Sequence, residues 1–419
     1  MEGKSVRAVS LMKCLLPWLC IPSAASVDVH AQRVLPPPVV RDSAGSRIIE
    51  YPSMSPATPL SARSSPSPFS HSVRALPFAV EIQEKWFTDL GGDGSDANNE
   101  FDARHSSFGV VELSDGTIVV NDRVDLKYFS RDGKRIRTVG REGGGPGEFR
   151  QTTQLCRLRG DTILVFDFDG RTSLWDRSGT HIRTFPRVGR TLTSGCRDDG
   201  AYVVQQAGTA SRSSDGSMLA ESRLIRADGQ ELARLGKLPT FEAAGLMFWE
   251  PTILPINDYL LVGGARRFEF AIQSFSGRPI RTTRFGRSPM PITNKDWQER
   301  AEHQVPRGLR SDIRAKRLAQ FIAEKPAGFY PAYSRILRDP LGYVWIQDFE
   351  SSSGWTLFDA NGRLAGRVEL RGGELGQSSL IAAFSDHVVL LRRDGDGAPH
   401  LQFHRISPRP LSGAPGKRD

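Results

Sequence analysis

The chain has 419 residues, a formal charge of +9 and 38% hydrophobic residues, enough for a sizeable core in one large domain or two ordinary ones. Its mean hydropathy is negative, which excludes a polytopic membrane protein. The cationic excess forms no dense Lys/Arg tract with interleaved aromatics, so it reads as solvated surface and not as a nucleic-acid site.

Lys4, Arg7 and Lys13 precede an apolar run, Cys14 to Ala25, that is too short to span a bilayer comfortably. Val29-His30-Ala31 then offers a small-residue cleavage pattern, so residues 1–31 read as a secretory signal peptide. Export to the periplasm or the extracellular space follows from that reading. Residues 32–75 hold Pro36-Pro37-Pro38, Pro52, Pro56, Pro59, Pro66 and Pro68 among many serines, a composition that predicts a disordered linker.

From residue 76 onward the chain repeats one plan. Gly109-Val110-Val111-Glu112-Leu113, a turn at Ser114-Asp115-Gly116, Thr117 to Asp122, Leu126 to Phe129 and a turn at Asp132-Gly133 make the first unit. Ile163 to Asp167, Leu174-Trp175 and the turn Ser178-Gly179 repeat it, and Tyr343 to Asp348, Leu357-Phe358 and Asn361-Gly362 form a later copy. Turns between first and second strands fall near Asp115, Gly160, Asp199, Asn257, Pro340 and Asp386, which gives six units.

Between the first two units lies Thr138 to Phe149, read TVGREGGGPGEF. Its glycines and Pro146 can continue neither strand nor helix, so it must turn. No Lys-Ser/Thr follows Gly147 and no helix pattern comes after, so a phosphate-binding loop is rejected. An insertion, about 294–331, carries Leu309, Ile313, Leu318, Phe321 and Ile322 at helical spacing and predicts an amphipathic helix over the propeller. The last unit ends at Leu401 to Ile406 without a fourth strand, while a spare strand, Phe78 to Leu90, precedes the first. The expected fold is therefore all-β: a six-bladed β-propeller of four-stranded blades over 76–410, closed by an N-terminal strand, with a flexible tail over 411–419.

The GGGPGEF joint and the strand ends Asn121-Asp122, Phe166-Asp167 and Gln347-Asp348 resemble NHL-type six-bladed propellers of exported bacterial proteins. The resemblance implies a binding scaffold for a small-molecule, peptide or protein partner on the loop-rich face. Its alternative is a metal-dependent lyase or lactone/ester hydrolase with the site in the central channel. Propeller geometry sets Arg141, Glu142, Asp122, Arg123, Asp169, Arg171, Arg266, Arg267, Asp348, Glu350 and Arg393 on one rim. Arginines there could grip an anionic or zwitterionic ligand by forked hydrogen bonds, or simply be solvated; the aspartates could equally cap backbone N–H groups. The histidines, His71, His105, His181, His303, His387, His400 and His404, show no ligand-like spacing. No metal or other cofactor is therefore expected outside the enzyme alternative, and no catalytic residue stands out. The chain is expected to act as a monomer.

Beyond the leader the cysteines are Cys156 and Cys196, each four residues before a turn glycine, Gly160 or Gly200. Their matching positions on inner strands of adjacent blades allow either a disulfide or two buried thiols.

Overall fold

The computed structural model describes residues 38–43, 45–54, 79–85, 101–102 and 107–409, apart from 187–189, 192–194, 207, 215, 245–246, 288–289, 306–307, 326–327, 350–353, 370–377 and 394–397. The expectations for a leader over 1–31 and a tail over 411–419 lie outside those residues.

The strands pair into six blades. Blade 1 comprises Val110–Glu112, Ile118–Asp122, Asp125–Phe129 and Arg135–Val139, from the axis outward. Blade 2 comprises Thr152–Arg157, Ile163–Asp167, Thr172–Trp175 and His181–Phe185. Blade 3 has Arg190–Thr191, Ala201–Gln205, Met218–Arg226 and Glu231–Pro239, with Ser211–Arg212 added beside its third strand. Blade 4 has Thr252–Ile256, Tyr259–Gly263, Glu269–Ser274 and Pro279–Arg287. Blade 5 has Tyr333–Arg338, Val344–Asp348, Gly354–Phe358 and Leu364–Glu369. Blade 6 takes Ser379–Ala383, His387–Arg393 and Pro399–Arg409 from the end of the chain and Ala79–Lys85 from its beginning.

The expected closure is thus made. Ala79–Lys85 runs antiparallel to Pro399–Arg409, with Glu81 opposite Ser407 and Lys85 opposite His404. Burial follows from the blade geometry. Second strands lie between neighbouring blades on both faces, so all five residues of Ile118–Asp122, Ile163–Asp167, Ala201–Gln205 and Val344–Asp348 are buried. Outer strands such as Arg135–Val139 face water. Trp175, Trp345, Trp355 and Phe358 are buried packing residues, as their strand positions suggest.

Two features depart from the sequence reading. Within the expected disordered linker 32–75, Val39–Ser43 and Ser46–Met54 form a hairpin that extends blade 4, the second strand running parallel to Pro279–Arg287. The reason is apolar content hidden among the prolines. Ile49 and Tyr51 are buried, and the Tyr51 ring lies 5.8 Å from Phe285 and 6.1 Å from Phe358, sealing the seam between blades 4 and 5. Its hydroxyl accepts the Leu364 N–H.

The insertion likewise holds two helices, α1 (Asn294–Gln304) and α2 (Ser311–Ala323). Helix α1 docks through buried Trp297 and Ala301, with Val305 at its end, and Thr293 caps it by accepting the Asp296 N–H at 3.1 Å. No residue of α2 is buried; the Trp297 indole donates to Phe321 O at 2.7 Å and ties the second helix to the first. Ile313 and Ile322, expected to face the propeller, are exposed.

Cys156 and Cys196 are joined in a disulfide, with Cα atoms 6.0 Å apart, between the inner edges of blades 2 and 3. The bond spans 40 residues, and removing such a cross-link costs about 4 kcal/mol on the loop-closure scale. A non-reduced digest of the purified protein should therefore yield the Cys156–Cys196 linked peptide by mass spectrometry. Reduction should lower the denaturant midpoint without changing the secondary structure; recovery of both cysteines as free thiols would contradict the bond.

Candidate functional site

Each connection between blades returns from an outer strand to the next inner strand, so it emerges on the same face as the turns between second and third strands. The joint 140–149 shows how that face is built. Gly140 has φ +89°, and a Cβ there would strike the Phe149 ring, so only glycine lets Phe149 fold beneath the loop. Phe149 is buried and stacks on Trp175 at 5.6 Å. Its N–H donates to Arg141 O at 2.8 Å, and Gly143 N–H donates to Phe149 O at 3.0 Å. Glu148 accepts the Gly145 N–H at 2.8 Å and Arg141 Nε at 2.8 Å. Those two donors hold its carboxyl below the usual carboxylate range.

Arg171, a candidate ligand-binding arginine, is turned inward to this loop. It donates to Gly144 O at 2.7 Å and to Asp167 Oδ2 at 2.9 Å. Asp167 in turn accepts the N–H groups of Arg150 and Gln151, each at 3.0 Å. The same device recurs one blade earlier. Phe101 is buried like Phe149, the following N–H of Asp102 donates to Asp122 at 3.0 Å, and Lys127 supplies the cation at 2.6 Å. In blade 5, Asp348 is buried and pairs with Arg367 at 2.8 Å. An acid at the end of a second strand, a cation behind it and, in blades 1 and 2, a joint N–H in front are thus one repeated brace.

The other rim candidates fall as follows. Glu142 meets Arg123 at 3.0 Å, and Arg123 also meets Asp102 at 2.8 Å. Asp169 pairs with Arg150 at 3.0 Å. Arg266 grips Glu242 with Nε at 3.1 Å and Nη2 at 2.6 Å, fastening the hairpin Glu242–Ala244/Met247–Trp249 that fills the joint between blades 3 and 4. Arg267 and Arg393 are exposed. Glu350 lies outside the described residues. Arg141, Glu142, Asp169 and Arg171 are therefore gathered around the first joint, while Arg266, Arg267 and Asp348 belong to other blades.

His387, His400 and His404 are buried in blade 6. His387 lies 2.8 Å from Asp386 Oδ1 and stacks on Phe384 at 4.6 Å. His400 and His404 are four residues apart on one strand, hence on one face but separated by about 13 Å. Among the described residues no group of three or more His, Cys, Asp or Glu is placed to hold a metal ion.

Three features of the face are not legible in sequence. Asp125 begins the third strand of blade 1, and burial, reinforced by the Asp122 and Asp102 charges and opposed by Lys127 and Arg135, raises its carboxyl to about 6. Phe168 and Phe329 expose 72% and 49% of their surface on this face, far above what a packing role requires. Arg335 and Glu250 stand at the beginnings of the inner strands of blades 5 and 4.

No protein-family model matches the sequence, and no curated protein matches it. Solved structures with a similar chain path include a candidate exported protein of Bacteroides fragilis, 12% identical, TM-score 0.47, covering 79% of this chain and 95% of that one. A DUF4221 family member of Bacteroides vulgatus is 10% identical with TM-score 0.47, covering 80% and 100%. A calcium-binding regucalcin of Agrobacterium tumefaciens is 11% identical with TM-score 0.35, covering 74% and 94%. The six-bladed assignment rests on the strand pairing of this chain itself.

Asp125 gives a pH test. Its carboxyl titrates at about 6 in the fold against 3.8 unfolded, so the folded state favours the protonated acid and this contribution is lost as pH rises through 6. Allowing for its partial contact with water, the wild type should lose about 1–2 kcal/mol from this group between pH 4 and 7. Asp125→Asn should flatten that slope and raise stability at pH 7, measured by urea unfolding across pH. An unchanged slope would contradict the assignment.

Proposed function

We propose that the protein is an exported propeller scaffold that binds a partner on its loop-rich face. The observation that carries this reading is the exposure of Phe168 and Phe329 on a face whose charged side chains are largely engaged in holding the loops. Rigid loops with unburied aromatics are the arrangement by which a scaffold presents anchors to a ligand or protein. Helix α2, attached over the same face without a buried residue, widens the surface on offer.

Export is supported by the basic start and apolar run of the leader, and by a disulfide that suits an oxidising compartment. Among the described residues no helix is long and apolar enough to cross a membrane. The likeness of Gly143 to Phe149 to the joints of NHL-type exported propellers supports the same reading.

A photo-crosslinking amino acid placed at Phe168 or Phe329 should capture a discrete ligand or protein from the native envelope fraction. The same probe at Leu341 or Tyr259, exposed on the opposite face, should not. Equal capture from both faces, or none from either, would contradict the proposal.

A further inference from the structure

The inner strand of blade 5 carries a one-residue bulge between Tyr333 and Arg335. A bulge breaks the two-residue alternation of a strand and re-aims the side chains beside it. Here it leaves consecutive residues, Ser334 and Arg335, both exposed near the loop-face end of an innermost strand. Tyr333, just before the bulge, is fully packed, and its hydroxyl accepts the Ala265 N–H at 2.7 Å. The bulge is therefore anchored on its Tyr333 side, while Arg335 just beyond it stays exposed.

Arg335 is tethered at one point only. Its Nη1 donates to Leu380 O of blade 6 at 3.4 Å, and Nε and Nη2 have no partner among the described residues. Desolvation by the surrounding protein lowers its pKa, and the Glu250 charge opposes that effect. Glu250 stands just before Thr252–Ile256, the inner strand of blade 4, and is exposed. No ion pair joins Glu250 to Arg335 or to any other described residue. Almost every other rim arginine described above has a carboxylate or a set of carbonyls in contact; this cation and this anion instead stand, exposed and not ion-paired to each other, at the starts of the inner strands of two neighbouring blades.

We propose that the channel mouth between blades 4, 5 and 6 is a subsite for a small zwitterion of the amino-acid class, with Arg335 receiving the carboxylate and Glu250 the ammonium group. The chemistry is complementary at both ends. A guanidinium with two free donors takes a carboxylate by paired hydrogen bonds, and a single carboxylate takes an ammonium group. A simple anion would leave Glu250 facing its charge, and a simple cation would leave Arg335 doing so, whereas a molecule carrying both satisfies both. Ser334, exposed beside Arg335, offers a hydroxyl to the same carboxylate. This subsite deepens the reading of the loop-rich face as the binding face and rests on it.

The test uses ω-amino acids as a ruler. Glycine, β-alanine, 4-aminobutyrate and 6-aminohexanoate are titrated into the purified full chain by calorimetry at fixed ionic strength, with acetate and methylammonium as single-charge controls. Saturable binding is expected with one preferred length, and neither control should compete. Arg335→Gln and Glu250→Gln should each weaken the preferred ligand by about 10-fold or more, the loss of one charge-assisted contact. Arg335→Lys should recover part of the affinity, and thermal melts of all variants should match the wild type. Absence of saturable binding across the series, or an Arg335→Gln variant that binds like the wild type, overturns the subsite. If that occurs while crosslinkers at Phe168 and Phe329 still capture a partner, the binding face stands without this subsite.

Discussion

The structure depends on one pairing between distant parts of the chain: Ala79–Lys85 lying along Pro399–Arg409. Without it blade 6 would end in an open edge, and the start of the chain would not be tied to its last blade. With it, the seam between them closes over Phe101, Phe129, Leu401 and Phe403, all buried in one cluster. An ion pair from Arg131 of blade 1 to Asp386 of blade 6, at 3.8 Å, spans the same seam. Closure is also what gives the channel a mouth. Arg335 of blade 5 reaches Leu380 O of blade 6, and that contact exists only if the ring fixes how far apart those blades stand.

Charge is spent differently on the two faces. Opposite the joints, acids and arginines bridge neighbouring blades. Asp161 accepts the Ser114 N–H at 3.1 Å and Arg157 Nε at 2.8 Å, Arg159 reaches Asp198 at 2.8 Å, and Arg197 donates to Asn257 O at 2.9 Å. On the loop-rich face, arginines mostly hold loops to their own blade, as Arg171 does with Gly144 O. Exposed pairs such as Arg159–Asp198 contribute little each. The braces built on buried Asp122, Asp167 and Asp348 matter more, because removing their cation would strand a buried carboxylate.

Much of this was legible in the sequence because the propeller signal is local. Ile118 to Asp122 followed by a turn and Leu126 to Phe129 is a hairpin on its own evidence, and GGGPGEF is a turn whatever surrounds it. The missing parts depend on partners far along the chain. The hairpin over 39–54 has apolar pairs, Val39-Val40 and Ile48-Ile49, around Ala44-Gly45, but proline and serine dominate the average over 32–75 and mask them. Its stability comes from Phe285 and Phe358, which no local pattern can supply. Arg171 and Arg266 are rim candidates by their place in the repeat, yet composition could not say that one would turn toward Gly144 O and the other toward Glu242. Arg335 does not stand out in the sequence because a bulge, not an alternation, leaves it exposed.

The closing pair is tested most directly by cysteine cross-linking within the folded chain. Glu81 and Ser407 are register partners on the two closing strands; Cα atoms of such antiparallel partners lie about 4.5–5.5 Å apart, within reach of a disulfide. In a Glu81→Cys, Ser407→Cys variant, mild oxidation of the monomer should yield the linked peptide in high proportion. A Glu81→Cys, Ser379→Cys variant, with the second cysteine on the innermost strand of the same blade, should not. Failure of the first pair to link in folded protein, or equal linking by both, would contradict the closed ring.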